Sequence, residues 1–316
     1  MDLFHPAPAD VAFLIFDRLP LDSLVSLRCT SRSADDLFSR YFNSRLRAAL
    51  GLFFADEDAF LQEMSTSSSI ITGACALSIL ARCSWTSDEL DICIPFSYFG
   101  HVVSYLIHIE NYYPAFAKST APSDDPICDG LCVKLFRGRA VINVIRSRGQ
   151  CPLQPLRKTW TTTHMCYISA TTFSIAYPVL TERHRSVLRA CRLEDHWYPS
   201  RETQDLIRAY REKGFDIRLD AVSWLREDEQ EDECEGAGSE NCPLTVRYMG
   251  DRFTVKGGCW PITRARPRGP KTSYLDDLTL VWWQGGIHHA DECRGHGSVT
   301  EPSWSILPRS VLGSRT

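Results

Sequence analysis

The 316-residue sequence contains no apolar run near the roughly 20 residues that a membrane-spanning helix requires. It also lacks a dominant charge: 35 Lys and Arg stand against 39 Asp and Glu, a formal net charge of −4. That balance excludes a global basic field holding nucleic-acid phosphates non-specifically, so nucleic acid is not an expected partner. The opening residues MDLFHPAPAD carry neither a basic n-region nor an apolar h-region, and no secretory leader is expected there. No internal repeat is visible, and no G-x-S-x-G nucleophile elbow occurs. These absences point away from secreted and membrane readings and toward a cytoplasmic or nuclear protein.

What the sequence has in quantity is cysteine: 13 residues, an odd number. Cys75, Cys93 and Cys166 sit inside apolar runs, where cysteine behaves as a small hydrophobe. Together with the missing leader, this predicts free thiols in a reducing compartment. At 44% hydrophobic and 23% charged residues the composition is globular, and the length suits about two domains.

Residues 5–48 read as a small helical module. Val11, Leu14, Ile15 and Leu19 share one helical face after Pro8-Ala9-Asp10, and Pro20 is expected to end that helix. A second helix is expected after Asp22 as N-cap, with Leu24, Val25 and Leu27 inward. A third, capped by Ser31 or Ser33, carries Leu37, Phe38, Tyr41, Phe42 and Leu46.

From residue 52 the pattern alternates. Ile70-Ile71-Thr72 reads as a strand leading through Gly73-Ala74 into a helix over 76–81, and Leu90–Ile94 reads as a second strand closed by Pro95. A helix over 97–111 and strands at 132–136 and 141–145, joined through Arg137-Gly138-Arg139, complete a mixed sheet. Residues 160–215 are read as mainly helical, with Arg185–Leu193 and Thr203–Lys213 clearest and Gly214 as the stop. Eight of the fourteen residues from Glu227 to Glu240 are acidic, which describes a solvated loop. Leu244–Val246 and Phe253–Val255 are candidate edge strands. Beyond residue 262 the periodicity fades, and 263–316 is expected to be a low-order tail. The predicted class is α+β, a mixed α/β sheet with helices behind a three-helix head.

Three stretches carry chemistry. In the first, Ile15-Phe16-Asp17-Arg18-Leu19 is followed by Leu24-Val25-Ser26-Leu27-Arg28. This I-F-x-x-L and L-x-x-L-R arrangement resembles the F-box. The resemblance implies docking onto the Skp-type adaptor of a cullin–RING ubiquitin ligase, with an unidentified protein client, through Leu14, Ile15, Phe16, Leu19, Leu24 and Leu27. Large apolar residues stand on both faces of the first helix, so one face is expected to remain for a partner. The plain alternative is a helical subdomain packed on the rest of the chain.

In the second, Ile70–Ala74 is followed by Glu89-Leu90-Asp91-Ile92. Glu89 and Asp91, at i and i+2, share one face of a strand. A strand, a small-residue turn and two acids on the next strand resemble the nucleotidyltransferase fold. There the resemblance implies nucleotide phosphates at Gly73 and Ala74, Mg²⁺ on the acid pair, and a third carboxylate on a later strand. The matching strand Val141–Ile145 carries Asn143, the first acid is Glu rather than Asp, and the turn is Gly-Ala. An amide oxygen is a poor substitute for a carboxylate at Mg²⁺. Residues 66–262, through ITGACAL, SDELDICIP, AVINVIRS, THMCYISATTFSIAYPVLT, YREKGFDI and RYMGDRFTV, are similar to a family of uncharacterised basidiomycete proteins with a degenerate nucleotidyltransferase-like domain. The combined expectation is an F-box-type interaction protein with a catalytically impaired body. The alternatives are a metal-dependent nucleotidyltransferase using Glu89 and Asp91, revived if Asp125 or Asp129 supplies the third acid, and a nucleotide-binding body without turnover.

The third stretch, His288-His289-x₃-Cys293-x₂-His296, has zinc-ligand residue types without a second separated pair. It is read as incidental, as is Cys128-x₃-Cys132. No metal or other cofactor is assigned with any weight. Arg264, Arg266 and Arg268 are read as part of a solvated linker.

Overall fold

The computed structural model describes residues 8–114, 131–189, 192–193, 198–221, 224, 245–258, 274–283 and 303–312. Three helices open it: α1 (Ala9–Phe16), α2 (Leu21–Arg28) and α3 (Arg32–Leu50). Pro8 and Pro20 occupy the N-cap positions of α1 and α2. Pro20 therefore starts the second helix and does not end the first, which stops at Phe16. Asp22, expected as the cap, lies in the first turn of α2, where its charge meets the positive helix end. Ser31 caps α3, its Oγ accepting from Ala34 N at 3.1 Å. Asp56 does the same for α4 (Glu57–Ser67), accepting from Ala59 N at 3.0 Å.

The head and the sheet share one buried apolar cluster that runs from Ala12 and Phe16 to Phe215 and Ile217. Phe38 and Phe42 of α3 stack on Phe173, at centroid distances of 6.4 and 5.2 Å. Polar contacts fix the same seam. Arg82 donates to the carbonyls of Phe16, at 2.7 Å, and Leu19. Glu182 accepts from Leu21 N, and Arg28 donates to the carbonyl of Gly258.

Behind the head lie β1 (Ile70–Thr72), α5 (Gly73–Leu80), β2 (Glu89–Ile94), α6 (Phe99–His108), β3 (Tyr113–Pro114), β4 (Cys132–Arg137) and β5 (Ala140–Arg146). They are followed by β6 (Cys166–Ser169), β7 (Thr172–Ile175), α7 (Pro178–Glu182), β8 (Arg185–Val187), α8 (Arg201–Glu212), β9 (Asp216–Arg218), β10 (Arg247–Tyr248) and β11 (Val255–Gly258). Eight strands form one sheet in the order β11-β7-β6-β1-β2-β5-β4-β3. All its pairings are antiparallel except β2 with β5. The fold is α+β. No helix among the described residues is long and apolar enough to cross a membrane.

Two stretches depart from the sequence expectation. Residues 166–175 are a β-hairpin, and the helix expected from Arg185 is replaced at its start by a strand: Arg185–Val187 is β8, paired in parallel with β9. Val187 and Ser186 are buried there, so tertiary pairing outweighs the amphipathic pattern. Within the expected low-order tail, α9 (Tyr274–Asp277), β12 (Leu278–Trp283) and β13 (Ser303–Pro308) are ordered. Strand β12 joins β10 and β13 in a second sheet. Thr279, Leu280, Val281 and Trp282 are all buried; a strand covered on both faces shows no polar alternation, which is why the pattern was silent. The acidic stretch 227–240, residues 263–273, Asp125, Cys128, Asp129 and the His288–His296 group lie outside the described residues.

Candidate functional site

Strand β1 delivers its last residue, Thr72, directly into helix α5 at Gly73. Gly73 has φ +68°, and a Cβ at this position would overlap the Asp91 carboxylate. Glycine is therefore required on two grounds, left-handed backbone and close approach.

The strand registers place four polar residues in one row: Thr72 opposite Asp91, Asp91 opposite Asn143, and Asn143 opposite Lys134. Glu89 lies two residues before Asp91, on the same face. The acid pair expected from the sequence is thus assembled, and Asn143 occupies the third position beside it. Asn143 Nδ2 donates to Asp91 Oδ1 at 2.7 Å and to Glu89 Oε2 at 3.2 Å. Lys134 Nζ sits 3.0 Å from Glu89 Oε1. An amide N–H group and an ammonium therefore lie between and beside carboxylates that in the resembled fold would face divalent cations.

Those residues are a poor fit to a resident Mg²⁺. One of the two carboxylates is already paired with an ammonium, and the amide turns its N–H face, which cannot ligate a cation, toward both. Among the described residues, no group of three or more His, Cys, Asp and Glu side chains converges on a point.

Across from the acids, α8 brings Tyr210 to a buried aromatic cluster. His164 is enclosed there, with Nδ1 2.7 Å from Thr161 Oγ1 and Nε2 2.7 Å from the Tyr210 hydroxyl. Burial, followed by the charges of Lys213 and Arg192, lowers its pKa to about 3, so it is neutral. Lys213 Nζ lies 4.5 Å from the Trp85 ring and 4.8 Å from the Tyr210 ring. Trp85 Nε1 and the Nε and Nη2 of Arg192 are buried without a hydrogen-bond partner. Burial, with a smaller contribution from the Asp91 charge, pushes the Cys75 thiol of α5 up to about 12, which leaves it no thiolate character.

The docking residues proposed for the head divide by face. Phe16 and Leu24 are buried in the chain's own core; Phe16 meets Tyr41 edge-on at 5.5 Å. They hold the helices together and are not presented to a partner. Leu19 and Leu27 are partly buried against the same core. Leu14 is 68% exposed and Ile15 43%, with Val11 beside them at 44%. The spacing explains the split: Ala12 and Phe16 form the inner stripe of α1, while 11, 14 and 15 form the outer one.

Sequence reasoning missed Lys134, Trp85, His164, Tyr210 and Lys213. For Lys134 a signal existed. With Arg137 paired to Ala140 across the tight turn, counting back three residues on each strand sets Lys134 opposite Asn143. No local pattern marks the others, which meet only through the packing of α8. Compared with known proteins, the chain matches no family model, no curated protein and no solved structure.

Proposed function

We propose that the chain is an interaction protein of the F-box type, docking a Skp-type adaptor of a cullin–RING ubiquitin ligase through its helical head and offering a protein client from its body. The observation that carries this reading is the outward apolar ridge of Val11, Leu14 and Ile15 on α1. Three large hydrophobes side by side on one helical face are a helix-in-groove recognition pattern. The contacts of Arg82, Glu182 and Arg28 across the seam give that ridge a fixed orientation relative to the body, as a device that positions a client requires. The engagement of Glu89 and Asp91 by Asn143 and Lys134 supports a body without metal-dependent transfer chemistry.

The test is binding of the purified full chain to a purified Skp-type adaptor, measured for wild type and for Leu14→Asp and Ile15→Asp. Both sites are exposed, so folding is retained. Losing one anchor of about 2 kcal/mol corresponds to roughly 30-fold weaker binding. A wild-type chain that does not bind the adaptor sinks the proposal.

One observation favours a second reading, a body that binds a nucleotide without turning it over. Lys213 Nζ, over the Trp85 and Tyr210 rings, is a cation suited to a phosphate group. Calorimetric titration with ATP in the absence of Mg²⁺ addresses it: heat that disappears in Lys213→Ala favours this reading, and no heat removes it.

A further inference from the structure

On another face of α8, an open cleft of about 780 Å³ lies between that helix and β9. Its apolar part is made by Leu188, Ile207 and Ile217, with Leu188 3% and Ile217 4% exposed. At its mouth stand two large exposed side chains, Tyr198 at 73% and Leu219 at 52% exposure. Among the described residues, none that lines the cleft is acidic, and three are arginines.

The three arginines are not equivalent. Arg218 is tied by Nε and Nη2 to Asp216, each at 2.8 Å, and Asp216 also accepts from Trp224 Nε1 at 2.7 Å. Arg218 is thus held in place with its charge offset. Among the described residues, Arg208 gives only Nη1 to Asp205, at 3.0 Å, and Arg211 gives only Nη2 to the Ile217 carbonyl, at 3.3 Å. These two lie three residues apart and so neighbour one another on the surface of α8. Each keeps N–H groups for an incoming anion, next to an apolar recess large enough for a bulky side chain.

We propose that this cleft docks a peptide segment in which an acidic residue stands beside a large apolar one. The acid bridges Arg208 and Arg211, and the apolar side chain enters between Ile207, Ile217 and Tyr198. Paired guanidiniums favour carboxylate and phosphoryl groups through charge-assisted, directional hydrogen bonds. A recess open to solvent can take one side chain while the rest of the peptide stays hydrated. The site is independent of the adaptor-docking ridge on α1.

The experiment is selection of random heptapeptides displayed on phage against the immobilised full chain, with the Arg208→Glu/Arg211→Glu variant as counter-target. Both arginines are exposed, and an unchanged Tm verifies that the variant folds. The expected outcome is enrichment of Asp or Glu within two residues of Leu, Phe or Trp. A selected peptide, dye-labelled, should bind at least 10-fold more weakly to the double variant and several-fold more weakly to Tyr198→Ser. Its affinity should fall between 50 and 300 mM salt and remain unchanged in Leu14→Asp, which separates this site from the head. Selected peptides without acids, or equal binding to the double variant, overturn the proposal. So does an absence of selected peptides, and saturable binding of decanoate in that case would assign the cleft to a small amphiphilic acid.

Discussion

Asn143 Nδ2 stands 2.7 Å from Asp91 Oδ1 and donates to Glu89 with its other hydrogen, so a single amide bridges the two acids of the site. Because β2 and β5 run parallel with Asp91 opposite Asn143, this bridge is set by backbone register. Lys134, opposite Asn143 on the next strand, brings an ammonium to Glu89. The row is internally satisfied without an ion.

Asn143→Asp removes the donor and places a third carboxylate in the row. We expect a loss of about 1–3 kcal/mol at neutral pH, from like charges and an unsatisfied acid pair. Stability should recover as pH falls toward 4 and one carboxyl takes a proton. Millimolar Mn²⁺ should raise the Tm of this variant and leave the wild type unmoved. Thermal denaturation across pH with and without Mn²⁺ decides it; a wild-type Tm raised by Mn²⁺ would show that the acids are available after all.

Gly73→Ala carries two penalties, a left-handed φ and overlap with Asp91. The expected cost is about 1–3 kcal/mol in urea unfolding. Adding Asp91→Ser should recover only the part due to overlap. Full recovery in the double variant would mean that the backbone strain at Gly73 is negligible.

His164 gives a pH dependence whose sign follows from its pKa of about 3 in the folded chain against 6.5 unfolded. Below pH 6.5 the unfolded chain takes up a proton that the folded chain refuses. The stabilising effect is therefore full above pH 6.5 and is lost as pH falls toward 3, at up to about 1.4 kcal/mol per pH unit. In His164→Gln the stability curve between pH 6.5 and 4 should be flatter than in wild type. Equal slopes for the two proteins would rule out His164 as the titrating group.

The stacking of Phe42 on Phe173, inclined by only 16°, joins α3 to the sheet. Phe42→Ala should cost about 3–5 kcal/mol. It should also lower the stability of the whole chain and leave no separate transition for the head. Two resolved transitions in calorimetry, only one of them shifted, would contradict a shared core.

The sequence alone determined the elements whose signals are local. A serine cap for α3 (Ser31 or Ser33, of which Ser31 serves), Gly214 as the stop after α8, the Ile70–Thr72 strand before Gly73 and the hairpin around Gly138 each depend on residues within a turn or two. It also placed Glu89 and Asp91 on one face of a strand, because period-2 patterning fixes which side chains share a face; that Asn143 stands beside them was only what the resemblance implied.

Tertiary structure alone decided the rest. Which stripe of α1 turns inward depends on Tyr41 and Arg82 being there to receive it; the helical pattern offers two apolar faces and ranks neither. Strands β8 and β12 exist because β9, β10 and β13 supply their hydrogen bonds and cover their faces, and nothing within three residues of either encodes that. Lys134 reaches Glu89 because strand order puts β4 next to β5 and β5 next to β2, so the charge that satisfies the site comes from 45 residues away. Local chemistry chose the secondary structure; long-range burial and pairing chose which polar groups meet, because their free energy depends on neighbours the chain acquires only when folded.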